Sequence, residues 1–177
     1  KNNYIKDEVA THIIPYHWSD KDKLNTDYKY LDNLYEKLLP EYANALNKFH
    51  STNHSNMFWR IIFGNWLLSF ITTLFDRWSM VMLANNSYKL DKVALLEVDS
   101  SFLIPNNMLD YKKLSTNSDE WNSYIFYRII EKYTHLKILK FQVKVEPKKT
   151  FKISLIKKKV KLLIYQIASG LSYFLSK

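Results

Sequence analysis

Along the first third of the chain, apolar residues recur at alternating steps of four and three: Leu24, Tyr28, Leu31, Tyr35, Leu38, Tyr42, Ala45 and Phe49. That spacing places them on one face of a helix. Ser19, with Asp22 three residues later, reads as a capping box in which Asp replaces the usual Glu. Pro40 interrupts the run and predicts a kink or break at Leu39, with Pro40 opening a second helix. A polar loop over residues 50–56 then leads into a helix over about residues 55–84. Trp59, Ile62, Phe63, Trp66, Phe70, Leu74 and Trp78 line its apolar face, and Asn65, Ser69, Thr72, Thr73 and Asp76 form a polar stripe.

Beyond residue 85 the pattern shortens. Residues 93–98 and 102–104 read as brief strands, Pro105-Asn106-Asn107 as a turn, and Ser118 as the N-cap of a helix over about 119–135. Phe141, Val143 and Val145 alternate with Gln142 and Lys144 as in a half-buried strand. Pro147-Lys148-Lys149 is a turn, and a basic amphipathic helix is predicted from about residue 157 onward. The fold class expected is α/β, helix-rich, with a domain over residues 1–135 and a basic strand, turn and helix segment over 136–177.

Composition narrows the chemistry. Two glycines, Gly64 and Gly170, cannot build a G-x-G-x-x-G or Walker-type loop, so nucleotide phosphate must be held by side chains or by other parts of the protein. The absence of cysteine removes disulfides, thiolate metal sites and Cys nucleophiles. The uncharged run over residues 61–75 has 15 positions, short of the roughly 20 that cross a bilayer, and is read as core. The net charge of +9 is concentrated at one end: residues 135–177 hold 11 Lys against one acid, Glu146. Basicity is therefore a property of the tail, and nucleic acid is not expected as a partner, because Lys there alternates with aliphatic residues and not with stacking ones. Lys1 at the first position and an unclosed last stretch predict a fragment.

One set of residues carries a family resemblance. Pro15-Tyr16-His17-Trp18, Ser19-Asp20-Lys21-Asp22-Lys23, Asp27-Tyr28 and Leu34-Tyr35-Glu36 are followed by Leu46-Asn47, His50, His54-Ser55 and Trp59-Arg60-Ile61-Ile62. Gly64 with Trp66, Phe75-Asp76-Arg77-Trp78, and Asp119, Trp121 and Asn122 complete the series. In this order they resemble transferases encoded in bacterial O-antigen and surface-polysaccharide clusters, over roughly residues 14–130. Ser19-Asp20-Lys21 stands where that family has Asp-Asp-Arg, and Asn65 where it has Pro. At Lys21 a point charge replaces a bidentate guanidinium. The resemblance implies the N-terminal part of a two-domain, GT-B-like glycosyltransferase whose second domain is missing. It also implies a nucleotide sugar as donor substrate, a glycan or lipid-linked acceptor and no cofactor within the fragment. The location expected is cytoplasmic, with the basic tail as the reason to consider a peripheral place on the inner face of the plasma membrane.

The candidate catalytic residues are His17, Asp20 and Asp22. An imidazole titrates near neutral pH and a nearby carboxylate can fix its tautomer, so His17 can serve as general base toward an acceptor hydroxyl; a hydrogen-bonded loop histidine is the plainer reading. The candidate substrate-binding residues are Arg60, Asp76 and Arg77. Only three arginines stand against 23 lysines, so each marks a place where a forked guanidinium is needed, to bind phosphate or sugar carboxylate, or to hold a buried acid such as Asp76. His50 and His54 lie in a loop without a third ligand, and no metal site is expected. Trp59, Trp66, Trp78 and Trp121 can stack on sugars but are read as core. The tail lysines 157–159 and 161, beside aliphatic residues, suit either an anionic membrane surface or a solvated linker. The competing functional class is a non-enzymatic helical module that docks on membrane or partner proteins through that tail.

Overall fold

A computed structural model describes residues 12–98 and 103–142. The expected 157-onward helix, the Pro147 turn, Val143 and Val145 lie outside them. The described residues divide into two compact units: those up to Val93 together with Ile125–Ile138, and Ala94–Tyr124 together with the residues from Leu139.

In the first unit a short 3-10 turn, His17–Ser19, precedes α1 (Lys21–His50). The cap is Asp20 and not Ser19. Its carboxylate accepts the backbone N–H groups of Asp22 at 2.9 Å and Lys23 at 3.1 Å, two donors that would otherwise lack partners at a helix start. The predicted break at Pro40 does not occur, and α1 runs through it as one helix. Proline inside a helix costs about 3 kcal/mol, and the neighbouring turns offset this by burying Leu38, Leu39 and Ala43 almost completely. The buried face comprises Leu31, Leu34, Tyr35, Leu38, Leu39 and Ala43. Leu24, Tyr28 and Phe49, expected on the same stripe, are exposed.

The chain leaves α1 through Ser51 in the left-handed region, φ 55°. The side chain of Asn47 then organises the return. Its oxygen accepts from the His54 backbone at 2.9 Å and from the Trp59 indole at 2.9 Å, and its amide donates to the His54 carbonyl at 2.8 Å. Ser55 caps the short α2 (Asn56–Trp59), accepting from the Phe58 N–H. A π-helical turn, Arg60–Gly64, follows and passes directly into α3 (Asn65–Ser87). The run from Asn56 to Ser87 is 32 residues and is apolar enough to cross a membrane by length and composition, although the uncharged stretch alone is shorter. Against α1 it buries Leu67, Phe70, Ile71 and Phe75, whereas Ile61 and Ile62 face outward, Ile62 contrary to expectation.

The strands are β1 (Lys92–Leu96) and β2 (Lys137–Phe141), a parallel pair. Asp91 accepts from the Lys137 N–H, and Glu97 donates to the Phe141 carbonyl. Thus β2 ends where the sequence pattern begins its strand. In the second unit Leu103 and Ile104 are not strand, and Asn107, expected in a turn, caps an unforeseen helix α4 (Met108–Asn117) by accepting from the Asp110 N–H. Ser118 caps α5 (Asp119–Tyr133) as predicted, accepting from Trp121 at 3.0 Å. Tyr111 and Trp121 meet edge to face at 5.9 Å and are both buried.

At Gly64 the π-helical turn lies against Tyr35 of α1. A Cβ there would lie 2.4 Å from the Tyr35 hydroxyl. Gly64→Ala gains helix propensity of up to about 1 kcal/mol but must push the phenol aside, so a net loss of about 1–2 kcal/mol is expected. Urea unfolding measures this, and adding Tyr35→Phe, which removes the blocking oxygen, should restore much of the loss.

Candidate functional site

The 3-10 turn brings its aromatic residues against the second half of α3, and the meeting point is the Asp76 carboxylate. One carboxylate oxygen, Oδ1, lies 2.9 Å from His17 Nε2. The other is paired with the Arg77 guanidinium, and the Tyr16 phenol also hydrogen-bonds to the Asp76 carboxylate. Asp76 and His17 are both buried, at 6% exposure each. A carboxylate withdrawn from water needs such partners, because an unpaired one would be strongly destabilising.

His17 is sandwiched between acids. Its second nitrogen, Nδ1, has no hydrogen-bond partner among the described residues and lies 3.8 Å from Asp27 Oδ2. With Nε2–H donating to Asp76, Nδ1 is the nitrogen that carries the lone pair in the neutral ring. Asp27 is itself held by the Trp18 indole N–H at 3.0 Å and by Lys23 one turn earlier. Trp18 also stacks on Phe75 with centroids 6.3 Å apart and 21° between planes. The indole is thereby fixed on two sides.

Beside this cluster, an open groove of about 190 Å³ runs between the first half of α1 and α3. Trp18, Leu24, Tyr28, Leu31, Asp32, Leu68 and Thr72 line it. The Thr72 hydroxyl donates to the Leu68 carbonyl at 2.8 Å, and its oxygen can still accept a hydrogen bond.

Of the six residues expected at the site, the structure joins three: His17, Asp76 and Arg77. Asp20 is occupied as the cap of α1, and Asp22, exposed in the first turn, offers its carbonyl to Thr26. Arg60 makes a bidentate pair with Glu36, both bonds 2.7 Å, and lies over the Tyr35 ring at 5.4 Å. Its guanidinium holds Glu36 below the usual carboxylate range. Arg60 thus ties α1 to the π-helical turn and does not join the His17 cluster. Sequence reading missed Tyr16, Asp27, Asp32 and the groove role of Trp18. Only the i, i+4 spacing of Lys23 and Asp27 hinted that Asp27 was engaged. Trp59 and Trp121 are buried as expected, with Trp66 stacked on Phe70. His50 and His54 lean on the rings of Trp59 and Phe58.

The chain is a transferase by family. A family model described as LIC12162 family transferase matches residues 1–176, and the chain belongs to that family. No curated protein and no solved structure matches it.

Burial, then the Asp76 bond and its negative charge, push the Tyr16 phenol up to about 12, with Arg77 opposing. The native hold on the protonated phenol is fully present below the ordinary tyrosine value of 10 and is lost as pH rises through about 12. Asp76→Asn is expected to lower the Tyr16 midpoint toward 10, read by NMR titration of labelled tyrosine with Tyr16→Phe for assignment. The same change should lower unfolding free energy by about 1–3 kcal/mol by weakening a buried charged hydrogen-bond network.

Proposed function

We propose that the chain belongs to a glycosyltransferase that moves a sugar from a nucleotide-activated donor to a hydroxyl of a glycan or lipid-linked acceptor, in the synthesis of bacterial surface polysaccharide such as O-antigen. Membership of a transferase family supports the reaction class. The observation that carries the sugar chemistry is the groove whose wall is an indole fixed by Asp27 and Phe75. A sugar ring presents an apolar face and polar edges, and a rigid aromatic beside carboxylate and hydroxyl oxygens answers both. With two glycines in the whole sequence, donor phosphates fall to cationic side chains, of which Arg77 beside Asp76 is the candidate in this unit.

On this reading His17 is a positioning residue. Only 1% of its side chain is exposed, so its bond to Asp76 sets the place of Trp18 and does not touch substrate. His17→Gln is expected to lower kcat by up to about 100-fold, the scale of a misplaced binding wall, with far-UV circular dichroism unchanged. The assay incubates the protein with a panel of nucleotide sugars and a lipid-linked glycan extract. Nucleoside diphosphate should appear only when acceptor is present, and silence across the panel would remove the glycosyl reading.

A membrane-surface location, on the cytoplasmic side, has its own support. Met57, Ile61 and Ile62 stand 62%, 72% and 64% exposed at the start of the long apolar helical run, and the last 43 residues carry 11 lysines for anionic headgroups. Co-sedimentation with phosphatidylserine vesicles should fall several-fold in the Ile61→Ser, Ile62→Ser double variant. An unchanged bound fraction would count against this location. Vesicle binding with no turnover of any donor would favour the docking-module alternative.

A further inference from the structure

We infer that the groove between α1 and α3 is an acceptor subsite for a single sugar ring of a neutral glycan, with Tyr28 and Trp18 as its stacking walls and Asp32 as the acceptor of its hydroxyl hydrogen bonds. This rests on the glycosyl-transfer reading and names the substrate that the groove takes.

Three observations carry it. The first is the open apolar surface. Leu24, Tyr28 and Leu68 are 38%, 69% and 37% exposed and stand together on facing stretches of the two helices. Clustered exposed apolar side chains of this kind mark a surface that a ligand covers. The second is Asp32. Asp20 caps a helix, Asp27 holds Trp18 and Lys23, and Asp76 holds His17 and Arg77, whereas Asp32, one turn after Tyr28, has no partner among the described contacts. A carboxylate kept unpaired at the edge of an aromatic groove is suited to accept from the vicinal hydroxyls of a sugar.

The third is what the lining lacks. Among the described residues that line it, the ionisable side chains are those of Asp32 and Tyr28, with no Lys or Arg. A donor diphosphate would meet a negative charge there with no cation to offset it, so the donor binds elsewhere and the groove belongs to the acceptor. An alkyl chain would have no use for the carboxylate. The volume of about 190 Å³, below the usual range for drug-sized ligands, suits one ring and not a chain of them. Thr72 adds a second acceptor oxygen on the facing helix.

The probes are methyl glycosides of common hexoses and N-acetylhexosamines, titrated into the intact protein and followed by tryptophan fluorescence and saturation-transfer NMR. Saturable binding of at least one glycoside is expected. Tyr28→Ala and Asp32→Asn, both at exposed positions, should each weaken it by about 5-fold or more and leave uridine diphosphate binding unchanged. In the transfer assay the same variants should raise the acceptor KM and leave the donor KM unaltered. Absence of glycoside binding, binding indifferent to both variants, or loss of uridine diphosphate binding in Tyr28→Ala would each overturn the subsite. Binding with the expected variant pattern but without turnover of any donor would uphold the subsite and sink the transfer reading instead.

Discussion

The first unit depends on one buried carboxylate. Asp76 lies on α3, yet its partners include Tyr16 and His17 from the short turn that precedes α1. A helix interior gains nothing from an ionised Asp withdrawn from water unless several donors meet it. Here an imidazole, a guanidinium and a phenol do so. Removing any of these donors leaves the charge partly unanswered, and this asymmetry makes the contact a constraint on the chain path and not merely a contribution to stability. The turn cannot leave α3 without exposing or stranding the charge.

That constraint reaches the groove through neighbouring side chains. His17 and Trp18 are adjacent in the chain, so fixing the imidazole on Asp76 also fixes where the indole begins. Asp27 and Phe75 fix where it ends. The wall of the open groove is therefore pre-organised by groups that do not face it. Binding a sugar ring there would incur little ordering cost on the indole, which is the condition under which a small, largely apolar contact gives useful affinity. Tyr28 and Asp32 are the contrast: both are exposed on α1 and are ordered only by the helix that carries them.

Much of the architecture was legible in the sequence, and the failures have physical causes. The start of α2 at Ser55, the cap at Ser118 and the burial of Trp59 and Trp121 follow from local rules that tertiary packing reinforced. Pro40 misled because proline's cost is local, whereas the burial of Leu38, Leu39 and Ala43 that offsets it depends on a partner helix more than 20 residues away. Asn107 read as a turn residue because the same side chain that closes a turn also caps a helix, and only Tyr111, buried against Trp121, decides between them. At the site, charged residues near the right elements were identified, but periodicity does not say which acid a histidine will choose. His17 sits beside Asp20 and Asp22 in sequence and bonds to Asp76, 59 positions away. The two nearer acids are engaged, or exposed, at the start of α1.

The divergence between Arg60 and Arg77 follows the same logic. For both, two uses were open, binding substrate or holding an acid, and both hold carboxylates. Arg60 pairs with Glu36 at the surface, where water screens the bond and its main effect is geometric: it clamps the π-helical turn to α1 at the level of Gly64. Arg77 pairs with an acid that has little water to compete for it. Losing the surface pair costs little stability, whereas losing the buried one strands a charge. A π-helical turn shifts the register of every residue after it relative to an unbroken α-helix. The clamp at Arg60 and the glycine at its far end therefore set the rotation at which α3 presents Leu68, Thr72 and Asp76. Two of these line the groove and the third anchors its wall, so the geometry of the proposed acceptor site is decided as much by the turn at residues 60–64 as by the side chains within it.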